Sequence, residues 1–292
     1  MVTTLTFLQH LLNGIFYGLI YALISTGLSL IFGVMEVVNF AHGEFYMLGA
    51  FIMYFIFSFT GNFLFAVLGS MAFMALFGVL VNGSIIQPVI KKSWMAPILV
   101  TLGLGIALKN TILLIFGAKP IFISVPLTET VFDLFGLKLQ AARILILFLV
   151  PCLFAVLHIF LQKTKIGKGI RAASQNRELC DVLGIELNKV YTATFLISAC
   201  LAGLAGSLVG PIFCLTPTMG DKMGIKSFCI VVLGGFGNVK GAIFSSILVG
   251  LVESLVAGYI SGTFKDAFVF ILMLLTLLFK PEGLLGKRVG IW

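Results

Sequence analysis

Residues 13–35 read NGIFYGLIYALISTGLSLIFGVM, and residues 36–44 continue EVVNFAHGE. The first stretch is 23 residues without a charge, and about 20 apolar residues suffice to cross the hydrocarbon core of a bilayer. The second stretch places Glu36, Asn39, His42 and Glu44 within nine positions before the apolar run resumes at Phe45. A membrane helix, a polar break and another membrane helix set the pattern that the rest of the chain follows.

Working outward, 60% of the 292 residues are apolar and 10% are charged, against roughly 45–50% and about 25% in soluble domains. With a mean hydropathy of +1.17 there is too little polar side chain to cover a water-facing surface, so a soluble fold is excluded. Apolar runs near 13–35, 45–60, 63–87, 96–117, 141–161, 191–213, 226–237, 240–260 and 264–280 predict an all-α polytopic membrane bundle. Its expected organisation is one membrane domain, 1–292, with about eight or nine membrane segments and short or broken helices near 36–50 and 226–242.

The five cysteines are scattered and lack a C-x-x-C, which points to neither a disulfide framework nor a structural zinc site. They suit the role of small apolar residues. The net charge of +8 forms no stripe on a polar face, so membrane orientation explains it better than nucleic acid does. No Lys or Arg precedes Lys91, so the beginning of the chain lacks the basic region of a cleavable signal peptide.

Lys91 and Lys92 separate the third run from the fourth, and the longest polar stretch, 162–190, holds Lys163, Lys165, Lys168, Arg171, Arg177 and Lys189. The positive-inside bias places both in the cytoplasm, and the two runs between them keep the parity. The N-terminus and 118–140 are then outside, and the tail with Lys280, Lys287 and Arg288 returns to the cytoplasm. The weak link is 226–237, which at 1.5 Å per residue is about 18 Å long against a core of roughly 30 Å. A half-helix there would put the tail on the other side.

Val37-Val-Asn-Phe-Ala-His-Gly43 resembles Val231-Val-Leu-Gly-Gly-Phe-Gly237, and Gly-Ala pairs follow at Gly49-Ala50 and Gly241-Ala242. In transporters made of duplicated halves, Gly-interrupted segments at matching places point to the substrate path. Chance similarity of Val- and Gly-rich membrane sequence is the alternative. For 36–44 itself, buried ionisable groups are costly in a membrane and usually face a cavity or a partner. That favours a broken helix lining a pathway, against an ordinary solvated turn. Small-x-x-x-small pairs at Gly14/Gly18, Ala202/Gly206, Gly206/Gly210 and Gly237/Gly241 allow close helix packing. Lys109 and Glu253 fall inside apolar runs, where they pair with each other, face a partner or snorkel to the boundary.

Enzyme readings find little support. His42 and Glu44 suit acid-base chemistry, but there is no H-E-x-x-H, G-x-S-x-G or G-x-x-x-x-G-K-[ST], so the chain is expected neither to catalyse a reaction nor to hydrolyse ATP. In the 162–190 stretch, Ile170, Ala173, Leu179, Val182 and Leu183 are loosely spaced as on helices, with Gly184 as a stop. An amphipathic helix must cover its apolar side. Glu178 and Asp181 argue against simple attraction to anionic lipid and favour docking of a soluble partner.

Gly27-Leu-Ser-Leu-Ile-Phe-Gly33 followed by Val38-Asn-Phe-Ala-His-Gly-Glu-Phe-Tyr-Met-Leu-Gly49 resembles the signature of LivH-type branched-chain amino-acid ABC transporter permeases. Ile170-Arg-Ala-Ala with Leu183-Gly184, Val231-Val-Leu-Gly-Gly-Phe-Gly-Asn-Val-Lys-Gly-Ala242, Val252-Glu-Ser254 and Lys280-Pro-Glu-Gly-Leu-Leu-Gly286 extend the resemblance over essentially the full length. Lys280 stands where Arg is expected, and no Pro precedes Gly237. The resemblance implies an importer half-channel in a bacterial or archaeal cytoplasmic membrane. It would work with a second, LivM-like permease, two ATP-binding subunits that use the ATP, and a substrate-binding protein outside. No cofactor is expected on this chain. The pathway or gate would comprise Asn39, Phe40, His42, Gly43, Glu44, Phe45, Gly235 and Gly237, and coupling to the ATPase would use Gly167, Arg171, Ala172, Ala173, Leu183 and Gly184. Branched aliphatic substrates need an apolar passage without a tight charged site at mid-depth. Relatives also resemble permeases for urea, short-chain amides and other amino acids. A stand-alone channel or an ion-coupled transporter is the rival class.

Overall fold

The computed structural model describes residues 2–90, 92–134 and 136–286, so the basic residues Lys91, Lys287 and Arg288 lie outside the described residues. In chain order the elements are α1 (Val2–Met35), α2 (His42–Thr60), α3 (Phe63–Val81), α4 (Gln87–Ile90), α5 (Ala96–Phe116) and α6 (Pro126–Glu129). A hairpin of β1 (Val131–Leu134) and β2 (Leu137–Gln140) precedes α7 (Ala141–Lys163), α8 (Lys165–Ala173) and α9 (Arg177–Val182). The chain then forms α10 (Leu187–Val209), α11 (Met219–Gly234), α12 (Val239–Tyr259) and α13 (Lys265–Phe279). The bundle is all-α as expected, except that 118–140 holds this antiparallel hairpin, in which Asp133 faces Lys138.

Local chemistry sets several of these boundaries. Asn62, Asn176, Asn238 and Thr164 each accept a backbone N–H in the first turn of the helix they precede, which satisfies one of the donors a helix start leaves open. Pro88 has no N–H to give the ladder, and just before it α3 passes into α4 through a π-turn, Asn82–Ile86.

Seven helical stretches among the described residues are long and apolar enough to cross a membrane: α1, α2, α3 with α4, α5, α7, α10 and α12. The shorter α11 and α13, of 16 and 15 residues, complete the alternation. At one end of the bundle the Met35 carbonyl accepts Arg177 Nη1 at 2.9 Å, and Leu284 N–H donates to the Leu233 carbonyl at 2.7 Å. At the other end Gln9 bonds to Lys138 of the hairpin, and Arg143 donates to Asn13 at 2.7 Å. The 162–190 stretch, the α11–α12 turn and the tail therefore share a basic end, and the start of α1 shares a hairpin end with 118–140. The parity predicted from charge is met because α11 begins at Met219, seven residues before the apolar run, and so is longer than that run suggested.

The interior is built by glycine. At Gly14 a Cβ would stand 2.8 Å from the Leu251 backbone, and at Gly18 2.7 Å from Ile247, so α1 and α12 touch almost backbone to backbone. Gly49 of α2 meets Gly203 of α10, and Gly206 lies on the Tyr46 carbonyl. Such approach gains dispersion where lipid offers no hydrophobic drive. Ser70 and Ser207 of neighbouring helices both donate to the Gly49 carbonyl, at 2.7 and 3.2 Å. Gly237 and Gly241 are not one stripe, since α12 begins only at Val239; Gly237 rests on Gly33 and Gly241 on Gly234. The large side chains of α5 and α7, including Leu99, Ile106, Phe148 and Val156, are exposed.

Candidate functional site

The break after α1 turns the chain back into the bundle. Glu36 takes φ +52, a left-handed conformation that non-glycine residues rarely adopt, and its carboxylate pairs with Arg177. Residues 36–41 then run alongside α1, so that α2 starts inside the bundle: His42 Nε2 donates to the Ile24 carbonyl at 2.9 Å. Ile24 lies eleven positions before Met35, or about 16 Å of helix. The internal sequence match does not mark equivalent structure, because Val37–Phe40 is irregular whereas Val231–Leu233 is helical. What the two regions share is a break before a helix, at 36–41 and at 235–238.

Around the start of α2 lies a pocket of about 250 Å³. Leu28, Leu102, Ile225 and Phe228 make it apolar, and Asn39, His42, Glu44 and Asp221 give it polar points. Asn39 Oδ1 accepts the Ala41 N–H at 3.1 Å, but its Nδ2 is buried without a partner, as are His42 Nδ1 and Glu44 Oε2. Phe40 stacks on Phe228 with ring centroids 6.0 Å apart, and its N–H donates to Thr101 Oγ1 at 3.3 Å. Gly43 is required by close approach, since a Cβ would strike the Gly220 carbonyl and sit 2.7 Å from Gly224. Glu44 faces Asp221 and Lys109, and Lys109 donates to Asp221. Two carboxylates thus share one ammonium.

The other predicted residues fall elsewhere. Phe45 is fully buried, edge-on to Phe77, outside the pocket lining. Gly235 and Gly237, with φ +97 and +73, form the α11–α12 turn at the basic end, where Gly235 packs on Gly286. Thr101 and Asp221 were not singled out from the sequence. A threonine inside an apolar run carries no distinguishing signal, and Asp221 lies outside the apolar run 226–237.

Lys109 and Glu253 are not partners of each other. On the opposite side of α11, Glu253 accepts Lys226 at 2.9 Å and Lys265 at 3.0 Å on one oxygen and Tyr21 at 2.6 Å on the other. Lys226 also reaches Asp266 at 2.8 Å. These residues border a second pocket of about 310 Å³.

At the basic end, Gly167 packs against Leu161 of α7 so closely that a Cβ would meet its backbone at 2.6 Å. Arg171 Nε donates to the Leu161 carbonyl at 3.0 Å, Ala173 is buried and Ala172 half-buried. The expected apolar side divides in two. Ile170 and Ala173 of α8 are buried in the bundle, whereas Leu179, Val182 and Leu183 are 57%, 83% and 75% exposed. Gly184 ends the segment at φ +73.

Comparison with known proteins bears on this arrangement. Residues 10–277 match the family model described as branched-chain amino acid transport system / permease component. The chain is 30% identical over 301 residues to the high-affinity branched-chain amino acid transport system permease protein LivH of Escherichia coli K12, covering 97% of this chain and 96% of that one. It is 31% identical over 300 residues to the permease protein BraD of Pseudomonas aeruginosa, named for the same transport system, with 96% of each covered. In overall fold it is similar to a chain of PsaBC from Streptococcus pneumoniae, solved in complex with Fab, at a TM-score of 0.50, 15% identity and 97% coverage of both.

Proposed function

The chain belongs to the branched-chain amino acid transport permease family, and from that premise we propose that it is the membrane subunit of an ATP-driven importer of leucine, isoleucine and valine. The observation that carries this reading is the break at 36–41, which delivers Asn39, His42 and Glu44 into the middle of the bundle with polar atoms unpartnered in an apolar pocket. A buried polar atom left unbonded costs about 1–3 kcal/mol, so such atoms are retained where water or a passing solute meets them. Helix breaks inside a membrane are likewise tolerated where they line a cavity.

An aliphatic side chain slides past Leu28, Leu102, Ile225 and Phe228 without a strong hold, while Asn39 and Glu44 offer transient hydrogen bonds to its charged end. Gly43 lets α2 and α11 close on each other, which makes their crossing a gate. The basic end lies in the cytoplasm of a bacterial or archaeal cell, by the charge bias of its loops. There Leu179, Val182 and Leu183 offer an uncovered apolar edge to one of two ATP-binding subunits. The Arg177–Glu36 pair joins that edge to the break. A second permease completes the channel, and a binding protein outside delivers the substrate; ATP is used by the partners.

Reconstitution tests this reading. In proteoliposomes with its partner subunits, the chain is expected to support leucine uptake that requires both ATP and the loaded binding protein, and alone it is expected to accumulate nothing. Concentrative uptake by the chain alone, driven by an ion gradient, would establish the rival transporter class. Uptake of urea or acetamide in place of leucine would move the substrate to the amide branch.

A further inference from the structure

The pocket on the far side of α11 has charge left over after its own bonds are counted. Glu253, 3% exposed, is saturated by Lys226, Lys265 and Tyr21, and the three N–H groups of Lys226 go to Glu253, Asp266 and Tyr21. These groups are scaffold. What remains is Lys222, which lines the pocket and acts on Asp266 only at a distance, with no ion pair among the described residues, the spare donors of Lys265, and the second oxygen of Asp266. Three ammonium groups face two carboxylates, so one of them, Lys222, is left without a carboxylate within bonding reach among the described residues. Its volume of about 310 Å³ is at the small-molecule end of ligand sites, and Tyr17, Ile20 and Met223 supply an apolar wall.

We propose that this pocket is a loading site for a zwitterionic α-amino acid, with the carboxylate on Lys222, the ammonium on Asp266 and an aliphatic side chain against Tyr17, Ile20 and Met223. The inference rests on the importer reading above and adds the place where the substrate first rests. The pocket lies toward the hairpin end, where Leu215 pairs with Ile121 of the 118–140 loop, the end at which a binding protein would arrive. α11 is the wall shared with the gate pocket: Met219, Lys222, Met223 and Lys226 face the loading side, and Gly220, Asp221 and Gly224 face the gate. Because a single surplus charge holds the carboxylate, the site captures without trapping.

Cys214 lines the pocket and serves as its reporter once Cys152, Cys180, Cys200 and Cys229 are replaced by alanine. In the assembled transporter, leucine is expected to slow alkylation of Cys214. 4-Methylpentanoate, which lacks the ammonium, and 3-methylbutylamine, which lacks the carboxylate, are expected not to do so at the same concentration. Lys222→Gln should raise the leucine concentration needed for protection about tenfold, the size expected of one charge-assisted hydrogen bond, and Lys222→Arg should largely preserve it. Leucine uptake by the transporter with no protection of Cys214 would overturn the loading site and leave the importer reading standing. Protection by all three compounds alike would overturn zwitterion recognition. A transporter that takes up no leucine would overturn the importer reading, and this inference with it.

Discussion

The two faces of α11 carry the same kinds of charged group and treat them oppositely. Toward α12 and α13, Glu253 and Lys226 are nearly inaccessible and every oxygen of Glu253 is bonded. Toward α2 and α5, Lys109 and Asp221 keep 33% and 44% of their side chains exposed, and buried Glu44 has an oxygen without a partner. A saturated network locks helices together. An unsaturated one leaves polar atoms available at a cost in stability, and the two stand back to back on one 16-residue helix.

The sharpest way to break the comparison is to remove one carboxylate from each face. Glu253→Ala strips Lys226, 12% exposed, of its buried partner and leaves it only the half-exposed Asp266, and breaking a buried pair costs about 3–5 kcal/mol. Most of the folded protein should be lost, read as aggregation on size exclusion in detergent. Asp221→Ala breaks a partly exposed pair worth about 1 kcal/mol or less and should melt within a few degrees of the parent while uptake falls. Equal melting losses in the two variants would erase the distinction.

Gly43→Ala comes next. The added methyl meets backbone of Gly220 and Gly224, neither of which can rotate away, and overpacking of this kind costs about 1–3 kcal/mol. Uptake should be abolished because α2 and α11 no longer close. Gly103→Ala, on α5 with nothing within 4 Å, is the control and should keep full uptake with a slight gain in helix stability, on the order of 0.5–1 kcal/mol.

Arg177→Ala tests whether the exposed α9 edge is tied to the break. Loss of one partly exposed ion pair and one hydrogen bond to Met35 should cost roughly 1–2 kcal/mol. Stimulation of the ATPase subunits by loaded binding protein should nevertheless collapse while the subunits remain bound. Normal stimulation would show α9 to be a surface segment only.

The smallest stability effect belongs to Asn39→Ala, which removes an unpartnered donor along with the acceptor of the Ala41 N–H, so that stability should change by less than about 1 kcal/mol. Uptake should still fall several-fold. Cysteines placed at 39 and 42 should react with small water-soluble thiol reagents at rates that depend on ATP; uniform inaccessibility, together with full uptake by Asn39→Ala and His42→Ala, would reduce this segment to packing.

Much of the fold was legible in the chain alone. The uncharged run 13–35, the polar break at 36–44 and the basic stretch 162–190 yielded the helices, the break and the shared end of loop and tail, because span length and charge bias are local properties set against a bilayer of known thickness. The same holds for Gly184 as a stop, since a left-handed residue closing a helix calls for glycine whatever surrounds it. Hydropathy misjudged α11 because its first seven residues include Asp221, Lys222 and the turn-prone Gly220 and Gly224, which read as loop until their partners are known. It could not turn Phe45 away from the pocket while leaving Phe40 in it, although both stand in the same polar segment. Nor could it pair Lys109 with Asp221, 112 positions on, or Tyr21 with Glu253, 232 positions on. Those pairings exist because Gly14, Gly18 and Gly250 let α1 and α12 meet at the backbone, and because Gly43, Gly220 and Gly224 do the same for α2 and α11. The sequence by itself determined that the chain is a bundle of membrane helices with a polar break after the first, and which of its loops are basic. Which charges are buried, bonded or left open was decided only by the depth at which those glycine contacts seat one helix against another.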